Sequence, residues 1–268
     1  MAEVAQRTLK DEDCACSQVA DICGETVELF LVADGHGGKA VAELSEAVGL
    51  QYLVEEATAA GDASAESLKA AAARTFERLH ASAVASSKTA GATLTMAAWN
   101  EGRGELMVAN VGDSAAMLIE VDESTMLTAE HRLHDSAEEL SRVQSLGVKV
   151  SQAVYASGEP GGPLRAWPGG LAVCRTIGDA DCGGVSAVPS LRSLSLAASD
   201  GAALIMCSDG VWDALSQDRV ARYVRECSAV TEAAERVVKK AVKARGLRDD
   251  TTALVVWLGT PAWTARAS

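Results

Sequence analysis

Residues 29 to 33, Leu29-Phe30-Leu31-Val32-Ala33, form an unbroken apolar run that ends on Asp34-Gly35-His36-Gly37-Gly38. A short run without alternation predicts a strand buried on both faces. Helical periods follow. Val41, Leu44, Val48 and Tyr52 recur across 39–60 among interleaved glutamates, and Leu68, Ala72, Phe76 and Leu79 share one face of 63–87. The alanine-rich composition of these helices allows close approach to a sheet. The period then shortens, and segments 92–99, 105–111, 115–121 and 125–127 predict an antiparallel meander with a hairpin turn at 100–104. Residues 136–146 read as a helix stopping at Gly147, with a brief strand at 148–150. Glycine and proline crowd 151–170, predicting a loop-rich, flap-like insertion at about 136–170. Strands are expected at 171–174, 194–196 and 202–207, with a turn at Ser199-Asp200-Gly201. Helices at 217–226 and 231–244 and a closing buried strand at 252–258 complete the chain. Residues 1–18 read as polar and short of turn signals. No internal repeat is present, and this succession predicts an α+β fold with mostly antiparallel sheet.

Composition narrows the setting. The 268 residues suffice for a substantial core, and although 48% are apolar, no run approaches the ~18 needed to span a bilayer. The first residues lack the apolar segment of a secretory signal. Seven cysteines, scattered through core-like and loop surroundings, predict reduced thiols and a cytoplasmic location, with the nucleus as the other candidate. Cys14-Ala-Cys16 and His131-Arg-Leu-His134 have no second ligand pair at finger-like spacing, so zinc is not expected there. The net charge of −13 argues against nucleic acid or an anionic membrane as partner. An anionic substrate would then need a sign reversal at its site, for which bound divalent cations are the obvious means.

The acidic residues supply that possibility. Asp34 ends a rigid strand, and the glycines beside it leave backbone carbonyls approachable, as a hard cation requires. The alternative is an ordinary strand-to-helix turn with Asp34 as an N-cap. Ser208-Asp209-Gly210 repeats the pattern after a second buried strand, and Asp213 lies one helical turn further on. Asp249 precedes the last strand, Glu12-Asp13 precede the first segments, and Asp113 occupies a tight turn between strands. Any one Asp-Gly is most commonly a turn. Several carboxylates at strand ends repel unless cations neutralise them, and hard oxygen donors favour Mg²⁺ or Mn²⁺ over zinc.

Six blocks in order carry a resemblance: Val32-Ala-Asp-Gly-His-Gly-Gly38, Gly91-Ala-Thr93, Ala109-Asn-Val-Gly-Asp-Ser114, Leu171-Ala-Val-Cys-Arg-Thr-Ile-Gly-Asp179, Cys207-Ser-Asp-Gly-Val-Trp-Asp213 and Arg248-Asp-Asp-Thr-Thr252. Together, from about residue 10 to 258, they resemble the metal-dependent serine/threonine protein phosphatases of type 2C. The resemblance implies a four-layer α-β-β-α sandwich of two mostly antiparallel sheets flanked by helix pairs. It implies one phosphatase domain over 1–260 and a short tail at 261–268. Asp34 would bridge two metal ions, Gly35 would give its carbonyl to one, and Asp209 and Asp249 would complete the other. Glu12 and Asp13 match an early acidic pair acting directly or through water, and Asp113 and Asp213 match positions used for a weaker third metal. His36 matches the proposed general acid. The implied reaction is hydrolysis of phosphoserine and phosphothreonine in proteins, with two cations ~3.5–4 Å apart activating a bridging water. The transition state is loose, no covalent intermediate forms, and Cys174 and Cys207 need not be catalytic. The chain is expected to be a monomer whose partners are phosphorylated proteins.

Three departures stand out. The family's phosphate-holding arginine falls at Thr8, with Arg7 and Lys10 nearby; Ala115 replaces a basic residue; and Glu130-His131-Arg132-Leu133 lacks a proline. Two other readings share the fold, namely a catalytically silent binding module and a hydrolase of small phosphoesters.

Overall fold

The computed structural model describes residues 2–87, 89–154, 158–196 and 201–266. The opening apolar run lies in β3 (Glu25–His36), and its two faces set the layering. Leu29, Leu31 and Ala33 pack into a core shared with α1 (Ala40–Ala60) and α2 (Ala65–Ser86). Phe30 and Val32 pack on the opposite side, into a core between two sheets. With both faces buried, no position in the run can be polar.

One sheet runs in the order β11 (Ile177–Gly178), β4 (Gly91–Ala92), β3, β5 (Leu94–Asn100), β6 (Glu105–Val111) and β12 (Ser190–Ser195), and β2 (Asp13–Ile22) also pairs with β3. The other runs β1 (Ala2–Arg7), β14 (Thr251–Leu258), β13 (Ala202–Cys207), β7 (Ala115–Ile119) and β8 (Ser124–Met126). Every strand pairing in both sheets is antiparallel. Phe30, Trp99 and Val108 of the first sheet meet Leu118, Leu204 and Val256 of the second. The outer face of the second sheet, with Ile119, Ile205 and Val255, is covered by Val220 and Val224 of α5 (Gln217–Arg225) and by Val237 and Val238 of α6 (Val230–Arg245). The result is four layers, helices outside and sheets inside. Gly49 brings α1 down onto the sheet, because a Cβ there would meet Leu31 at 2.9 Å and Met96 at 3.0 Å.

Several elements differ from their sequence patterns. The polar stretch 1–18 contains β1 and most of β2. Each pairs with a single neighbour, and the middle of β2 is open to solvent, so neither needs an apolar run. The insertion is not mainly loop. After α3 (Ala137–Ser145), β9 (Lys149–Val154) and β10 (Pro160–Trp167) form an antiparallel ribbon whose register slips between Gly161 and Leu164. The glycines and proline there accommodate a bulge. Residues 155–157 of this insertion lie outside the described residues, as do Ser199 and Asp200 of the expected turn. The ribbon's base is anchored by Glu139, 1% exposed, which takes Arg175 at 2.6 Å and Arg142 at 2.8 Å. The strand expected at 171–174 exists only as isolated bridges from Leu171 to Ala166 and from Val173 to Arg132. Asp209 opens a short helix, α4 (Asp209–Trp212), two residues beyond the end of β13. Ala262–Arg266 form a 3₁₀ turn that buries Trp263 edge-on against Trp257 at 6.0 Å. Among the described residues no helix is long and apolar enough to cross a membrane.

Candidate metal centre

The strand register brings the acidic residues together. Asp13 of β2 stands directly opposite Asp34 of β3. On the other flank the Asp34 carbonyl accepts from Thr93 N at 2.9 Å, and Asp34 N donates to Thr93 Oγ1 at 3.3 Å. Thr93 Oγ1 is in turn 2.7 Å from Ser114 Oγ, next to Asp113. Helix α1 begins at Ala40 with Lys39 in the capping position, so Asp34 is not its N-cap. A cleft of about 330 Å³ has Asp34, Gly35, His36, Asp113, Asp209 and Asp249 in its walls. Asp213 opens instead on an adjoining hollow of about 140 Å³ shared with Asp209 and Asp249. Glu12 and Asp13 line neither. The Glu12 carbonyl takes Gly35 N at 3.1 Å and its carboxylate takes Gly38 N at 2.9 Å, while Asp13 Oδ2 accepts from Thr252 Oγ1 at 2.7 Å. A side chain at position 35 would press on the Glu12 carbonyl at 2.7 Å, which is why glycine stands there.

Burial pushes the Asp34 carboxyl well above the ordinary range, and the charges of Asp13, Asp209, Asp113 and Asp249 push it further. Asp209 is raised to about 7, by burial and then by Asp113 and Asp213, with Arg132 pulling the other way. Asp13 is raised to about 6 by burial, partly offset by hydroxyl hydrogen bonds from Thr252 and Ser208, and its Oδ1 is buried with no hydrogen-bond partner. The chain therefore crowds buried carboxyl groups around Asp34 whose burial and mutual repulsion resist ionisation.

A profile of the family described as Protein phosphatase 2C matches residues 5–250. The chain belongs to this family. It is similar to Probable protein phosphatase 2C 3 of Oryza sativa subsp. japonica, with 36% identity over 249 residues, covering 90% of this chain and 50% of that protein. It is also similar to Probable protein phosphatase 2C 5 of Arabidopsis thaliana, with 34% identity over 248 residues, covering 90% and 56%. The chain thus spans about half the length of the curated relatives it matches. Among solved structures, the fold resembles serine-threonine phosphatase 2C from Toxoplasma gondii, with a TM-score of 0.79 at 20% identity, covering 96% of this chain and 94% of that one. A C. elegans sex determining protein superposes with a TM-score of 0.83 at 20% identity, covering 100% and 67%.

For a phosphatase 2C chain the question is whether these side chains fit metal ions. Around Asp34 they do. Its neighbours are four other carboxylates, the Asp13 Oδ1 atom is orphaned, and the donor set is oxygen only, which suits a hard divalent cation. Among the described residues no three His, Cys, Asp or Glu side chains stand together as a ready cage. The carboxylates instead take internal cations, Lys10 Nζ at 2.8 Å from Asp249 and Arg132 Nη2 at 3.3 Å from Asp209. Asp113 and Asp213 fit a metal poorly, because guanidinium groups already hold both. Cys174 and Cys207 are fully buried, and desolvation pushes the Cys174 thiol to about 11 and that of Cys207 well above its ordinary value, so neither supplies a thiolate.

Two groups important to the centre carried no assigned role in the sequence. Asp179, 1% exposed, accepts from His36 Nε2 at 2.8 and 2.9 Å and from Thr176 Oγ1 at 2.6 Å. It sits at φ 53°, and a Cβ on Gly91 would collide with its carboxylate. The Gly178-Asp179 pair was the only hint in the sequence. Asp250, 2% exposed, accepts from the backbone N–H groups of Leu9 at 2.5 Å, Lys10 at 2.8 Å, Glu12 at 2.6 Å and Asp13 at 3.3 Å. Asp11, at φ 63°, turns the chain so that these donors converge. Burial alone would raise the Asp250 carboxyl, but the backbone N–H groups, Glu12 and Leu9 foremost, outweigh it and hold the group below its ordinary value.

His131, expected to have no zinc partner, is buried with Nδ1 3.1 Å from both Gly112 N and Gly112 O, bracing the turn that carries Asp113. Burial, then the charge of Arg175, lowers it to about 4.

Proposed function

We propose that this chain hydrolyses phosphoserine and phosphothreonine in proteins, using two Mg²⁺ or Mn²⁺ ions held by Asp34, the Gly35 carbonyl, Asp209 and Asp249, with Glu12 and Asp13 behind them. The observation that carries this reading is the crowding of acidic groups around Asp34, whose buried carboxyl is opposed by Asp13, Asp209, Asp113 and Asp249. When bound, the cations supply an activated water and neutralise the phosphoryl oxygens. The cleft's walls also carry Arg165 and Lys10, the latter paired with Asp249 until a metal displaces it, and these would meet an incoming phosphate where Thr8 stands in place of arginine. Arg165 Nη1 is anchored on the Gly170 carbonyl at 2.6 Å, which ties the ribbon to the cleft. Phosphorus is attacked by water directly, so no side chain forms a covalent intermediate. The leaving serine or threonine oxygen needs a proton, and His36, in the same wall, donates it while Asp179 holds the ring in one orientation. The domain comprises 1–260, acts as a monomer on phosphoproteins in the cytoplasm or nucleus, and binds neither nucleic acid nor membrane, in keeping with its charge of −13.

The test is hydrolysis of a phosphothreonine peptide by purified protein, titrated with MnCl₂ and then stripped with EDTA. Phosphate release that appears with metal and vanishes with EDTA is expected; a folded protein releasing none at any metal concentration would favour the silent binding module. His36→Gln is expected to lower kcat on the peptide about 10²-fold but to change turnover of p-nitrophenyl phosphate far less, since that leaving group needs no proton. Asp179→Asn, acting through the ring, is expected to show the same split more weakly. Equal losses on both substrates would remove His36 from the acid role.

A further inference from the structure

The acidic end of the cleft has a cation of its own. Arg132 Nε donates to Asp113 Oδ2 at 2.7 Å, Nη1 donates to Asp213 Oδ1 at 2.7 Å, and Nη2 reaches Asp209 Oδ2 at 3.3 Å. One planar guanidinium therefore spans three carboxylates, a geometry that its fixed fork suits and an ammonium does not. A second, Arg245 Nη1, reaches the other oxygen of Asp213 at 2.6 Å.

The segment carrying Arg132 is firmly held. Arg132 N donates to Glu130 Oε1 at 2.8 Å, Leu133 N donates to the Ala172 carbonyl at 2.9 Å, and the Arg132 carbonyl accepts from Asp135 and Ser136. His131, one residue before, is fixed on Gly112. The arginine is thus presented by braced backbone to the turn that bears Asp113.

We propose that Arg132 is a resident cation that takes the place of a third metal ion between Asp113 and Asp213, so that this chain gathers one metal fewer than its carboxylates alone would allow. A divalent ion entering there would have to break two charge-assisted hydrogen bonds and would lie against a guanidinium with nowhere to go but solvent. The neutralisation that a weakly held ion would give intermittently is covalently built in. The inference rests on the two-metal reading of Asp34, Asp209 and Asp249, but its test does not depend on how many ions those residues hold.

The experiment counts Mn²⁺ bound per chain, by equilibrium dialysis with metal analysis at millimolar Mn²⁺, for the wild type, Arg132→Gln, and Arg132→Gln combined with Asp113→Asn. Arg132→Gln is expected to bind one more ion than the wild type, and the double variant is expected to lose that ion again. Arg132→Lys, which keeps a charge without the fork, is expected to stay at the wild-type count. Thermal melts in EDTA confirm that each variant is folded. If Arg132→Gln and the wild type bind the same number, or if the extra ion survives Asp113→Asn, the proposal is overturned. The absolute wild-type count speaks to the other reading: two ions support it, and none sinks it, whichever way the difference falls.

Discussion

Asp34→Asn is expected to lose metal-dependent turnover by at least about 10³-fold, the scale when Lewis-acid charge stabilisation worth several kcal/mol is removed, and to make the metal-free protein more stable. Both follow from one fact. Asp34 is a buried carboxyl facing Asp13, Asp209, Asp113 and Asp249, an arrangement unfavourable to the fold that the proposed cations would relieve. Removing its charge relieves the repulsion by about 1–2 kcal/mol, which corresponds to a rise of ~2–8 °C in the Tm of EDTA-treated protein at pH 7.5. The sign of the pH dependence is fixed. In the metal-free fold Asp34, Asp209 at about 7 and Asp13 at about 6 retain protons that the unfolded chain has already released. Stability of the metal-free wild type therefore falls as pH rises from the unfolded carboxylate range through these values, and the advantage of Asp34→Asn grows over the same interval. Asp209→Asn behaves alike, with its advantage developing up to about pH 7. Differential scanning fluorimetry across pH with and without MnCl₂ measures all of this. A variant less stable than the metal-free wild type at pH 7.5, or one with full turnover, would refute the assignment of Asp34.

Asp250→Ala has the opposite character. It strips one acceptor from four backbone N–H groups, those of Leu9, Lys10, Glu12 and Asp13, in a site that is 2% exposed. Hydrogen bonds to a charged group contribute about 1.5–3 kcal/mol each and do not add fully, so a loss of about 3–4 kcal/mol is expected from urea unfolding. Activity is expected to fall with it, because Lys10 and Glu12 are carried by the released segment. Since Asp250 is held below its ordinary value, its stabilisation is present above the unfolded carboxylate pKa and is lost as pH falls toward the folded one, the reverse of Asp34. The neighbouring Asp249→Asn should lose metal without comparable destabilisation, as among the described residues its side chain is held by the exposed Lys10 ammonium and its own neighbour's N–H. A destabilisation of Asp250→Ala below about 1 kcal/mol would mean that water satisfies these donors and that the clamp is incidental.

Asp249 and Asp250 show how far a sequence can be read. Both stand in Arg248-Asp249-Asp250-Thr251, and the spacing before a buried strand marks the pair. The resemblance picks out Asp249 alone, and only the folded chain gives Asp250 its place, turned onto the loop at 9–13 while Asp249 faces the cleft. Arg132 is a similar case. The sequence shows a basic residue in an atypical context without its proline, whereas the three carboxylates it spans come from positions 113, 209 and 213.

By itself the sequence determined the longer helices and most central strands, because a strand buried on both faces must be apolar throughout and an amphipathic helix must repeat its apolar face. The edge strands β1 and β2, the ribbon formed by β9 and β10, and the pairing of Asp13 with Asp34 were decided by tertiary structure. Edge and ribbon strands are half wet and take their stability from a partner far away in the chain, so their own residues carry little periodic signal. The same holds for ion pairs such as Arg132 with Asp213, whose energy depends on a distance that no local pattern encodes.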